Sequence, residues 1–100
     1  MEKKTAHYRL AEVQDLIRQE KVRATSSAYS GARDLGINDL NGMCEVVLAL
    51  THTDFYKSMT THSDHRIWQD VYHAKTPKGD SVYLKLNVID DVVIISFKEL

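Results

Sequence analysis

The chain has 100 residues, 43% hydrophobic and 27% charged, with one Pro and four Gly; that composition excludes a disordered chain and predicts one domain around one core. Thirteen Lys and Arg against fourteen Asp and Glu give a formal charge of -1, which argues against nonspecific coating of nucleic acid but leaves room for a local cluster of cations. The single thiol, Cys44, rules out an internal disulfide and a multi-cysteine zinc site.

In chain order, Met1-Glu2-Lys3-Lys4 leads into polar residues rather than the apolar stretch of a secretory signal, and no run approaches a membrane span. A cytoplasmic protein without membrane contact is expected. Leu10, Val13, Leu16 and Ile17 recur at helical spacing, as do Ala28, Ala32 and Leu35, with Gly36 placed to end that helix. Met43, Val46, Val47 and Leu50 make a third apolar stripe. Thr53 and Asp54 read as the cap of a short turn of helix carrying Phe55, Tyr56 and Lys57.

From Ile67 the apolar period becomes two, the signature of strands with one buried face. Ile67 to Ala74 places Trp68 and Tyr72 on one side and Gln69, Val71 and His73 on the other. Val82, Leu84, Leu86 and Val88 alternate with Tyr83, Lys85 and Asn87, while Val93, Ile95 and Phe97 alternate with Ile94, Ser96 and Lys98. Pro77 to Asp80 reads as one hairpin loop, and Asp90-Asp91 as a two-residue turn. With Ile89 facing Val92, Leu84 falls opposite Phe97, Lys85 opposite Ser96 and Tyr83 opposite Lys98. The expectation is α+β: a single domain over residues 1–100, with N-terminal helices on one face of a C-terminal antiparallel sheet.

The face left open carries Tyr83, Lys85, Asn87, Ser96 and Lys98. A solvated strand face often has this composition, so a binding module using the open face or an edge strand is the alternative to an enzyme. His62 and His65 flank Asp64 in a Thr- and Ser-rich loop without a third ligand at regular spacing, so no metal is expected. No Gly-rich phosphate loop or nucleophile elbow is present.

The runs DFYKSMTT at Asp54 to Thr61, Ser63-Asp64-His65 and IWQDVY at Ile67 to Tyr72 are similar to the same stretch of the MqsR (motility quorum-sensing regulator) toxins. The similarity continues through VYLK at Val82 to Lys85, Val88-Ile89, Asp91-Val92 and SFKE at Ser96 to Glu99, and includes His7, Arg9-Leu10 and Gly42-Met43-Cys44. It implies a RelE-like fold and a ribosome-independent messenger-RNA endoribonuclease preferring sites that begin GC. It also implies Lys57, Gln69, Tyr83 and Lys98 as catalytic residues, with Tyr56 and Met59 beside them, and a zinc-bearing antitoxin of the MqsA type as partner. DNA would be met only through that antitoxin. His73 stands in place of an arginine, and with Lys85 completes the expected RNA contacts. No cofactor is expected, because RNA supplies its own 2′-hydroxyl nucleophile and the protein need only move protons and stabilise the phosphate.

Overall fold

The computed structural model describes residues 1–100. Strand β1 (Glu2–Lys3) precedes helix α1 (Leu10–Arg18), strand β2 (Val22–Ala24), and helices α2 (Ser26–Asp34) and α3 (Leu40–Leu48). A 3-10 turn over His52–Asp54 leads into β3 (Phe55–Thr60), β4 (Trp68–Lys75), β5 (Ser81–Ile89) and β6 (Asp91–Glu99). The six strands form one sheet in the order β1-β3-β4-β5-β6-β2, antiparallel except where β2 runs parallel to β6. This is the α+β plan read from the sequence, with two short strands at the edges that the periodicity does not reveal.

The three apolar stripes fall on α1, α2 and α3, with Leu35 and Leu50 just past the ends of α2 and α3, and all three pack on one sheet face. Leu10, Val13, Ile17, Ala28, Ala32, Met43, Val46 and Val47 share a core with Tyr72, Ala74, Val82, Leu84, Leu86, Val92, Ile94 and Phe97. Thr25 caps α2 by accepting the Ala28 N–H, Asp39 caps α3 by accepting that of Gly42, and Gly36 follows α2 at φ 79°, each satisfying backbone groups that a helix end would otherwise leave bare. Gly31 of α2 lies so close to β6 that a Cβ there would collide with the Phe97 backbone carbonyl.

Three expectations need correction. The cap falls on Thr51, reciprocally bonded with Asp54, and the chain turns into strand immediately afterwards. Phe55, Tyr56 and Lys57 therefore lie on β3 rather than on a helix, with Met59 farther along the same strand, and Phe55 and Ser58 pair with Tyr72 and Asp70 of β4. The last hairpin is tighter than expected: Ile89 pairs with Asp91, leaving Asp90 alone at the turn with φ 64°, a left-handed conformation that Asp tolerates better than most residues. The one-residue shift is cancelled farther along, where Lys85 pairs with Ser96 but Leu86 with Ile94, so Ile95 is the extra residue of a bulge. Consequently Val92 and Ile94, not Val93 and Ile95, point into the core beside Phe97. The Thr25 hydroxyl donates to the Ile95 carbonyl at 2.8 Å and so binds the bulge to the start of α2.

Candidate active site on the open sheet face

No helix covers the other face, and strand alternation sorts its side chains into three rungs. The first runs from Met59 on β3 to its partner Gln69 on β4, then to Asn87 on β5 and its partner Val93 on β6. The second pairs Lys57 with Val71, Val71 with Lys85, and Lys85 with Ser96. The third pairs His73 with Tyr83 and Tyr83 with Lys98. A register shift between Phe55 and Lys57 brings Tyr56 onto this last rung, where its ring stacks on His73 at 4.2 Å and 21°. All eight residues expected at the site, Tyr56, Lys57, Met59, Gln69, His73, Tyr83, Lys85 and Lys98, thus share one surface drawn from four strands.

Two further residues reach the surface, Glu2 of β1, which pairs with Met59, and Lys4 just beyond that strand. The Glu2 carboxylate lies 2.7 Å from Lys57 Nζ, and Lys4 Nζ sits 5.2 Å from the Tyr56 ring centroid. Nothing in local sequence points to them, because a two-residue strand has no readable period and its pairing spans more than fifty residues. The N-terminal segment is held by Asp70, a fully buried carboxylate that accepts the backbone N–H groups of His7 at 3.1 Å and Tyr8 at 2.9 Å.

The lysines of the middle rung have opposite surroundings. Hydrogen bonding and attraction from Glu2 hold Lys57 above the usual lysine range, and the same bond holds the Glu2 carboxyl below its own. Lys85 is pushed down, first by burial and then by the neighbouring Lys98 ammonium. The other three ion pairs are Arg9–Glu12, Arg18–Asp15 and Arg66–Asp64, so Lys85 has no carboxylate partner. Lys98 is exposed and lies 5.2 Å from the Tyr83 ring. Val71, though on this face, is fully buried between its two lysine partners, as expected when long aliphatic stems lie over an apolar residue. Asn87 is also buried, and its Oδ1 has no hydrogen-bond partner.

Cations, aromatic faces and amides on a surface without a cavity suit an extended anionic chain with exposed bases better than a small enclosed ligand. The two cavities, about 320 and 480 Å³, lie instead on the helix side, one against Ile17, Leu40 and Cys44 and the other against Tyr8, Phe55 and Tyr72. No three His, Cys, Asp or Glu side chains converge as a metal cage would require, and Asp64, between the loop histidines, is engaged by Arg66.

The fold and face define a small α+β domain whose sheet presents an open surface of lysines, aromatic rings and amides. The chain belongs to the family described as "Motility quorum-sensing regulator, toxin of MqsA", which it matches over residues 5–99. It is 54% identical over 99 residues to the mRNA interferase toxin MqsR of Escherichia coli (strain K12), covering 99% of both chains.

Proposed function

We propose that this chain is the toxin of a toxin–antitoxin pair and an mRNA endoribonuclease whose active surface is the open sheet face. The observation that carries the reading is the gathering of Lys4, Lys57, Lys85 and Lys98 with Tyr56, His73, Tyr83 and Gln69 on one uncovered surface of a chain whose formal charge is -1. The cations attract and neutralise the backbone phosphates of single-stranded RNA, while Tyr56, His73 and Tyr83 offer faces on which unpaired bases stack. Gln69 presents both a donor and an acceptor to a base edge or ribose, and Met59, its cross-strand partner, extends the apolar contact.

Cleavage proceeds through attack of the RNA 2′-hydroxyl on the adjacent phosphorus. Lys57 and Lys98 stabilise the added charge on the phosphate. No metal is required in this mechanism. A preference for sites beginning GC follows from the family resemblance, and Gln69 is the amide on this face able to read it.

The partner is an antitoxin of the MqsA type, and the two ends of the sheet, β1 and β2, are the edges to which a partner strand can add. DNA contact belongs to that antitoxin. No helix is long and apolar enough to cross a membrane, and messenger RNA as substrate places the activity in the cytoplasm.

The test is incubation of the purified chain with a synthetic RNA containing GC-starting triplets, with and without the antitoxin. Discrete cuts that the antitoxin suppresses are expected. Intact RNA at every protein concentration would instead support a binding module.

A further inference from the structure

We propose that the two lysines of the middle rung divide the proton transfers of cleavage, with Lys85 as general base for the 2′-hydroxyl and Lys57 as general acid for the departing 5′-oxygen. This assignment rests on the ribonuclease reading above and adds to it a catalytic residue, Lys85, otherwise expected only to touch RNA.

The geometry supplies the first argument. Lys57, Val71 and Lys85 are consecutive register partners on β3, β4 and β5, so the two lysine backbones stand two strand spacings apart, roughly 10 Å. Both side chains rise from the same face, with the buried Val71 between them. In-line displacement at phosphorus keeps the attacking and leaving oxygens on opposite sides. A base and an acid flanking the phosphate from opposite sides are therefore needed, and a phosphate above Val71 has one amine on each side.

Surroundings supply the second argument, because paired groups whose environments push their proton affinities apart are suited to opposite roles. Lys57 faces the Glu2 carboxylate from β1 and Tyr56 on its own strand. Lys85 faces Val71 on β4 and Ser96 on β6, with Tyr83 and Asn87 on its own strand, and His73 and Lys98 on the adjoining rung. No carboxylate is among these groups. Burial and the Lys98 charge make the neutral amine easier to reach, whereas Glu2 keeps Lys57 protonated. Lys98 lies exposed, without comparable burial.

The step balances within the site. The Lys85 lone pair takes the 2′-hydroxyl proton as that oxygen bonds to phosphorus. The bond from phosphorus to the 5′-oxygen breaks, and its electron pair receives a proton from the Lys57 ammonium. A 2′,3′-cyclic phosphate and a 5′-hydroxyl result, and proton exchange with water returns both lysines to their starting forms.

The deciding experiment follows kcat and KM against pH for the wild type, Lys85→Arg, and a Lys85→Cys chain in a Cys44→Ala background that is aminoethylated to give an amine of lower proton affinity. The wild-type rate is expected to rise with pH to an inflection below that of an ordinary lysine. Lys85→Arg, which keeps the charge but not a removable proton, is expected to lose about 10²-fold or more in kcat with KM nearly unchanged and an unaltered melting temperature. Aminoethylation is expected to restore activity with the inflection moved to lower pH. Near-normal kcat with the wild-type pH profile in Lys85→Arg, or an inflection unmoved by the aminoethyl amine, would overturn the assignment. Failure of the wild-type chain to cut any RNA would overturn the underlying ribonuclease reading and this one together.

Discussion

Lys98 carries a charge that is exposed and has no carboxylate partner, so removing it changes little in the folded chain and much for a bound phosphate. Lys98→Ala is expected to alter stability by less than about 0.5 kcal/mol, while lowering the single-turnover rate by about 10²-fold or more. Thermal melts and rates on the same preparation check both halves. Asp70 is the opposite case. Its buried carboxylate accepts two backbone N–H groups, so Asp70→Ala leaves both without their partner and is expected to cost about 2–4 kcal/mol, measured by chemical denaturation. Because the same bonds hold the segment that follows β1, cleavage is expected to weaken along with stability. Lys85 and Lys98 are legible from strand alternation. Glu2 is not, since its partner Lys57 is 55 residues away and no local pattern announces a contact at that distance.

The secondary-structure elements decide which of these side chains meet. Leu84 is fully buried opposite Phe97, one position from Lys85 on the open face. Leu84→Asp places an unpaired carboxylate among Val82, Leu86 and Ile94 and is expected to cost several kcal/mol, a large share of a small domain's stability. Circular dichroism is expected to show loss of the fold, and the RNA-cleavage assay loss of activity. Gly31→Ala is a sharper probe of the helix layer. The methyl meets the Phe97 carbonyl, and because backbone cannot yield as a flexible side chain can, the variant is expected to lose about 3 kcal/mol or more, measured by urea denaturation. The pairing of Leu84, Lys85 and Tyr83 with β6 is readable in the sequence, but for a reason counting alone does not supply. The turn at Asp90 is one residue shorter than expected and the bulge at Ile95 restores the count. Between those two points the alternation is reversed, which is why Val93 and Ile95 read as core. Tyr56 and Lys57 are similarly obscured, because Thr53 and Asp54 read as the cap of a helix, whereas the turn is capped at Thr51 and ends where β3 begins.

Across the whole molecule, helices bury one side of the sheet and leave the other open, and this division has consequences for pH. Burial, with a smaller contribution from Asp70, pushes the Tyr72 phenol up to about 12, above its unfolded value near 10. Below pH 10 both states keep the proton. Above it the unfolded chain ionises first, so stability is expected to fall between about pH 10 and 12 by on the order of 2 kcal/mol, and Tyr72→Phe to flatten that part of the curve in urea titrations. The α+β plan was legible because helical and alternating periods occupy separate halves of the chain. The parallel pairing of β2 with β6 was not, since three residues carry too little pattern to predict a strand. On the proposed function, this open face cuts RNA through the RNA's own 2′-hydroxyl. Mass spectrometry of product ends from cleavage in excess EDTA tests it most directly. Undiminished cleavage is expected, with 2′,3′-cyclic phosphate or 3′-phosphate ends and 5′-hydroxyls. Loss of cutting that a divalent ion restores, or products with 5′-phosphate and 3′-hydroxyl ends, would contradict it.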